Sequence, residues 1–207
     1  MEILKKSIIA IGAIILFVSN ATAQTADEMQ KAFKASYSNE YKANYTGAIA
    51  DLQKVYKADS YECNLRIGWL QYMAKQYGTS MEYYQKAIEL KKYSVEARFG
   101  FIKPATDANQ YDKAYEKYEE ILKIDPYNSI ANYWVGVTYY TAKKYDIAAK
   151  YFELVVNMYP FDYDANHMLG WAYFNLGKTN EAKILFAKAL YNRPGDASAT
   201  DGLNKCN

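Results

Sequence analysis

Residues 126–160 read PYNSIANYWVGVTYYTAKKYDIAAKYFELVVNMYP, and residues 160–194 read PFDYDANHMLGWAYFNLGKTNEAKILFAKALYNRP. Laid one over the other, the two stretches keep the same kinds of residue in the same phase. Pro126, Pro160 and Pro194 stand 34 residues apart, as do Ala114, Ala148 and Ala182, and as do Tyr84, Tyr118, Phe152 and Phe186. Gly136 and Gly170 keep the step, each with a tyrosine (Tyr139, Tyr173) three places later. A 34-residue period with a small residue, an aromatic and a proline in fixed phase marks stacked helix–turn–helix units. The predicted fold is all-α: a right-handed α-solenoid of about five such repeats plus a short C-terminal capping helix.

Within one period the first helix is predicted from about Ser129 to Ala142. Ile130, Tyr133, Trp134, Val135, Val137, Tyr139 and Tyr140 carry apolar groups nearly all the way round it, as in a helix packed on several faces. The second helix starts near Tyr145. Ile147, Ala148, Tyr151, Phe152, Leu154 and Val155 form its apolar stripe, with Asp146, Lys150, Glu153 and Asn157 on the other side. The short connection requires the two helices to be antiparallel neighbours.

This pattern resembles the tetratricopeptide repeat family. The matching residues are Asn132, Val135, Gly136, Tyr139, Ala148, Phe152 and Pro160 in one unit, and Asn166, Leu169, Gly170, Tyr173, Ala182, Phe186 and Pro194 in the next. The family's first signature place, usually Trp, holds Asn in both. Gly177 falls where the family often has a turn glycine. The resemblance implies that the Gly and Ala places let paired helices approach closely and that the proline ends the second helix. A proline suits that place because the residue before it is pushed out of helical geometry.

Five units follow, at about 27–60, 61–94, 95–128, 129–162 and 163–196, with the pattern loosening toward the N-terminus. Residues 61–94 keep Gly68, Tyr84 and Ala87, with Ser80 at the small place and Lys92 at the proline place. Residues 27–60 keep a second helix around Ala48, Leu52 and Val55. In 95–128, Ile102 stands where Gly is expected, Gly100 lies two residues earlier, and Pro104 sits inside the first helix. The expectation there is a two-residue expansion between the helices and a kink or early stop near Pro104. Residues 196–207 begin the capping helix.

The remaining composition bounds the function. The 25 basic and 23 acidic residues are mixed along the chain, and the densest basic clusters are pairs such as Lys91-Lys92 and Lys143-Lys144. A nucleic-acid surface calls for a basic stripe, so no nucleic-acid partner is expected. Tyrosine is the outlier, with 23 copies against eight Phe and three Trp. These rings either fill helix-packing positions or line a recognition surface, since Tyr offers both a large ring and a polar handle.

The N-terminal segment is read separately. Lys5 and Lys6 precede an apolar run from Ile8 to Val18, then Ser19-Asn20-Ala21-Thr22-Ala23-Gln24. A basic start, a short apolar core and an A-x-A site describe a secretory signal peptide, with cleavage expected after Ala23. The run is shorter than the roughly 18–20 residues of a membrane span. Export to the periplasm or beyond is therefore expected, with the solenoid domain occupying 24–207 and no stable span after cleavage. Cys63 and Cys206 lie four repeats apart, too far for the roughly 7 Å limit of a disulfide. Cys63 is expected to be a buried packing residue, and Cys206 to lie in a frayed tail.

The resemblance also implies where a partner would bind. In the family, the groove is built from first-helix residues one after and three before the glycine place, and one turn further on. Carried over, the candidates are Leu65, Trp69, Tyr72 and Met73; Tyr133, Val137 and Tyr140; and His167, Trp171, Phe174 and Asn175. Phe101 and Lys103 are added for the expanded unit. Some family members grip a C-terminal carboxylate with Lys, Asn and Arg at these places. Here Leu65, Trp69, Tyr133, Val137, His167 and Trp171 fill them, which fits an apolar peptide or a partner helix better. The same rings could instead pack on one another, or stack on a carbohydrate or cell-wall fragment.

No catalytic constellation emerges. His167 is the sole histidine, so one chain cannot build a His-based metal cluster. Glu116, Glu119 and Glu120 are spaced like solvent-facing helix residues. No Gly-rich phosphate loop or nucleophile elbow is present. The expected role is a non-catalytic, cofactor-free scaffold of the cell envelope. Neither the partner nor the oligomeric state is written in these residues.

Overall fold

The computed structural model describes residues 26–207, which form eleven helices and, among the described residues, no strand. The expected signal peptide and its cleavage point after Ala23 lie outside the described residues. After α1 (26–40) and α2 (Tyr45–Gln53), helices of constant length alternate. The first helices of the pairs are α3 (Tyr61–Met73), α5 (Val95–Asp107), α7 (Ser129–Thr141) and α9 (Tyr163–Asn175), each of 13 residues. The second helices are α4 (Tyr77–Leu90), α6 (Tyr111–Ile124), α8 (Tyr145–Met158) and α10 (Thr179–Asn192), each of 14 residues. The nine-residue α11 (Ala197–Lys205) is the expected capping helix. Among the described residues no helix is long and apolar enough to cross a membrane.

Each first helix opens on the same device. Ser60, Ser94, Asn128, Asp162 and Asp196 stand 34 residues apart at the N-caps of α3, α5, α7, α9 and α11. Each side chain accepts a hydrogen bond from the backbone N–H three residues on, which satisfies one of the unpaired donors of the first turn. The turn inside each pair is also periodic. Lys75, Asn109, Lys143 and Gly177 all adopt a left-handed backbone, with φ from 57° to 75°. Glycine is natural there, and the other three accept a strained conformation to close the same short turn.

The third repeat differs from its sequence expectation. Helix α5 runs without a break through Pro104, which is fully buried, and both its helices start 34 residues before those of the next repeat. There is neither a two-residue expansion nor an early stop. A single proline removes one hydrogen bond and leaves the helix otherwise intact when burial holds it. The offset lies in the first repeat instead: α2 begins at Tyr45, 32 residues before α4 at Tyr77. That helix ends at Gln53, so Val55 belongs to the following turn.

The chain divides into two compact units, one up to Lys92 and one from Tyr93 to Asn207. In the first, Ala48, Leu52, Ile67 and Leu70 are fully buried, with Phe33 and Trp69 packed against them. In the second, one core gathers Ala148, Phe152, Leu169 and Ala172, and another Tyr163, Ala182, Phe186 and Ala199. Small residues repeat near the start of each first helix: Cys63, Ala97, Ala131, Ala165 and Ala199 are all wholly buried. Cys63 is thus the packing residue expected of it. Cys206 is not frayed, because its backbone N–H bonds Leu203 and its side chain packs on the last core. Both thiols are free.

Asn at the first signature place has a structural role. Asn132 Nδ2 donates to the carbonyls of Pro126 and Asn128, both at 2.9 Å, and Asn166 Nδ2 to those of Pro160 and Asp162 at 3.1 and 2.7 Å. Asn64 does the same with Ala58 and Ser60. Each amide ties the loop before a first helix to that helix's N-cap residue. In the third repeat Arg98 replaces Asn, and its Nη1 bonds only the N-cap carbonyl of Ser94, at 2.9 Å.

Candidate functional site

The predicted groove residues fall on two units. Leu65, Trp69, Tyr72 and Met73 lie along α3 in the first, and all four are half-buried. Trp69 Nε1 donates to Glu40 Oε1 at 2.5 Å, and the Trp69 and Tyr72 ring centroids are 5.7 Å apart. Glu40 also accepts from Arg66, whose guanidinium lies 3.8 Å from the Tyr37 ring centre. Burial raises the Glu40 pKa, but the bonds from Arg66 and Trp69 outweigh it and hold the carboxyl below its usual range. Trp69 is therefore locked in orientation, with its one polar atom satisfied and part of its ring accessible.

The other seven residues lie in the second unit, on α7 and α9, which touch. Tyr133, Val137, Tyr140, His167, Trp171 and Phe174 are half-buried, and Asn175 is exposed. Asn175 Nδ2 donates to the Tyr140 hydroxyl at 3.3 Å, joining the two helices. Tyr133 packs against Phe152, and Trp171 edge-on against Phe174 and Phe186. Desolvation pushes the Tyr133 hydroxyl up to about 12.

His167 and Trp171 are more constrained than a bare platform. The Ser198 hydroxyl, on α11, lies 2.8 Å from His167 Nε2, and Trp171 Nε1 donates to that nitrogen at 3.0 Å and to Ser198 Oγ at 3.1 Å. Tyr163 stacks on the imidazole at 5.3 Å, and Arg193 covers the Tyr163 ring. Burial lowers the His167 pKa, the nearby Asp196 and Asp164 opposing it. The capping helix thus uses these two side chains to fasten itself to α9.

The strict register of the third repeat moves its candidates. Phe101 is buried in the core, not in the groove. The equivalent places are Phe99, half-buried and edge-on to Tyr118, and Lys103, which is exposed. Glu120 is not a plain solvent-facing carboxylate either. It receives Arg98 Nε at 2.8 Å and Lys117 Nζ at 2.5 Å, and both cations are buried. Among the described residues no group of three or more His, Cys, Asp or Glu could hold a metal ion.

Two of the concave features among the described residues lie beside the candidate side chains. One, of about 380 Å³, lies beside Tyr133, between Ile130 and Trp134 on α7 and Tyr159 after α8. The larger opens between α6 and α7 around Tyr118 and Trp134. The readable signal for the second was Ile102 at a glycine place, with Tyr115 and Thr138 where the next repeat has alanines.

Helix pairs of constant length in a 34-residue register, with half-buried aromatic side chains along their first helices, define a helical-repeat interaction scaffold. The chain belongs to the tetratricopeptide repeat family: two of its models match, one over residues 61–93 and 163–196 and the other over 105–162, together more than half of the chain. No curated protein matches it. Among solved structures, a crystal structure of MamA is similar at 22% identity with a TM-score of 0.68, covering 83% of this chain and 95% of MamA. A tetratricopeptide repeat protein from Parabacteroides merdae aligns at 16% identity with a TM-score of 0.72, covering 87% of this chain and 72% of that protein. YrrB, a TPR protein with an unusual peptide-binding site, aligns at 21% identity with a TM-score of 0.65, covering 78% of this chain and 81% of its own. At such identities the likeness is one of fold.

Proposed function

We propose that this protein is an exported, non-catalytic scaffold of the cell envelope that holds an apolar peptide or a partner helix against its first-helix aromatic side chains. The observation that carries this reading is the state of Trp69. Its indole N–H is satisfied by Glu40 and its side chain is fixed against the core while remaining partly accessible. A ring held in one orientation loses little entropy on binding, and such anchors dominate interface energetics. Tyr140 and Asn175 in the second unit repeat the arrangement, one side chain orienting the other. The uncharged residues at the carboxylate-gripping places argue for an apolar partner segment. The fold shared with YrrB, which has a peptide-binding site, is compatible with this use. Export rests on the sequence of residues 1–24.

Two measurements test the proposal. Trp69→Ala and Tyr140→Ala should leave helicity nearly unchanged by circular dichroism and abolish capture of a protein partner from an envelope extract. Retained capture in both variants would remove the first-helix surface from consideration. Mass spectrometry of the exported fraction should find a chain starting at Gln24; a chain retained in the cytoplasm with its N-terminal segment intact would refute export.

A further inference from the structure

The cleft between α6 and α7, about 560 Å³ in volume, shares Val137 with the first-helix candidates and is otherwise lined by residues outside them. Its openness has a local cause. One repeat later, Ala149 and Ala172 occupy the places of Tyr115 and Thr138, both are buried, and α8 and α9 close on each other. Phe152, in the place of Tyr118, tucks against Gly136. In the third repeat Ile102 fills the glycine place, Tyr118 is only half-buried, and its ring turns to lie near-parallel to Trp134, at 17° and 6.4 Å. Tyr115 and the exposed Thr138 line the opening, where the next repeat has two buried alanines.

The chemistry of the lining narrows the occupant. No charged side chain lines the cleft, so a charged ligand would lose its hydration without gaining a partner. Most lining hydroxyls are already committed: Thr138 and Thr141 donate to the Trp134 and Val137 carbonyls, Tyr111 to Asn109, and Tyr115 to Glu119. A sugar, which needs several free polar partners, is poorly served. Tyr118 keeps its hydroxyl free of any hydrogen bond to a described residue, and desolvation pushes it up to about 12, so it stays a donor. The α7 lining runs from Trp134 to Ala142, about 12 Å at 1.5 Å per residue. A partner helix with anchors over three turns would need about 16 Å. The volume suits a small ligand, whose pockets span about 300–1,000 Å³.

We propose that this cleft binds a neutral, ring-bearing apolar small molecule, placing one hydrogen-bonding group at the Tyr118 hydroxyl. The test uses the uncharged fluorophore N-phenyl-1-naphthylamine as probe on the whole chain. Its fluorescence should rise to saturation at one equivalent. Thr138→Phe, a change at an exposed position, should fill the cleft and weaken binding at least tenfold with an unchanged thermal melt. Ala142→Phe provides the same block from the helix end, should the first variant melt early. Tyr118→Phe should weaken binding about threefold, the loss of one hydrogen bond. Non-saturating fluorescence, or equal affinity in both blocked variants, would overturn the proposal. So would loss of protein-partner capture in Thr138→Phe with no probe binding to the wild type, which would give the cleft to a partner side chain. Trp69→Ala and Tyr140→Ala, neither residue lining the cleft, are expected to leave probe binding intact, which separates this site from the first-helix surface.

Discussion

Gly136 lies so close beneath Phe152 that a Cβ built on its backbone would stand 2.7 Å from the ring. The same relation holds for Gly170 and Phe186 at 2.9 Å and for Gly68 and Tyr84 at 3.1 Å. In each pair a ring from the second helix occupies the room that the first helix lacks a side chain to fill. Ile102 and Tyr118 invert the arrangement, with the bulk on the first helix and the ring turned out. One substitution at a repeated place thus moves an aromatic from core to cleft.

Gly136→Ala should therefore destabilise the protein by about 1–3 kcal/mol, because Phe152 is fully buried and has little room to yield. Gly78→Ala is the control: it is helical and a Cβ there meets nothing within 4 Å. That change should be neutral or stabilise by up to about 1 kcal/mol through helix propensity. Urea unfolding of both variants decides it; equal effects would show that the repeat register is misassigned.

Asn166→Leu should cost about 2 kcal/mol in the same assay. The buried amide bonds two carbonyls, of Pro160 and Asp162, and its loss removes both bonds, leaving the Asp162 carbonyl with only the Asn166 backbone N–H. An unchanged midpoint would mean that the loop finds other partners without it.

Glu120→Gln should cost about 3 kcal/mol, near the low end for breaking a buried ion pair, since Glu120 keeps 24% of its side chain exposed. Arg98 and Lys117 would be left as buried cations with weakened compensation. Glu116→Gln, whose contact to Lys117 is 3.6 Å from a largely exposed carboxylate, should change stability by less than about 0.5 kcal/mol. A double-mutant cycle with Arg98 measures the coupling; none would place the energy elsewhere.

Stability should fall with acid through His167. Burial holds its folded pKa below 6.5, so the unfolded chain binds the proton more readily. The native state is then at full advantage above about pH 6.5, and loses it as pH falls below that value toward the folded pKa. Melting temperatures from pH 8 to pH 5 should show this decline, and His167→Asn should flatten it. A wild-type profile that rises toward acid would contradict the assigned neutral form.

Much of the fold was legible because each period is one supersecondary unit that must bury the same face. The glycine, alanine, aromatic and proline places follow from that demand alone. The N-cap series from Ser60 to Asp196 was equally available; it escaped notice because three residue types share the role, each supplying a short side-chain oxygen. The third repeat was misread for a local reason. Gly100 offered a competing register and Pro104 an apparent helix break, whereas the core tolerates Ile102 by turning Tyr118 outward. Of the groove, the eleven residues on α3, α7 and α9 are accessible to some degree, as is Lys103, whereas Phe101 is buried. Their partners were hidden: Glu40 on Trp69 and Ser198 on Trp171 are 29 and 27 residues away in sequence.

The all-α repeat, its register in the last two repeats and the residue types along the first helices follow from the order of residues, because these depend on a period shared by every unit. Tertiary structure alone decided which aromatic side chains stay open. The capping helix ties down His167 and Trp171, and the α6–α7 cleft depends on Tyr118 meeting Trp134 across two helices. Such outcomes follow from the volumes and hydrogen bonds of side chains distant along the chain, which no periodicity encodes.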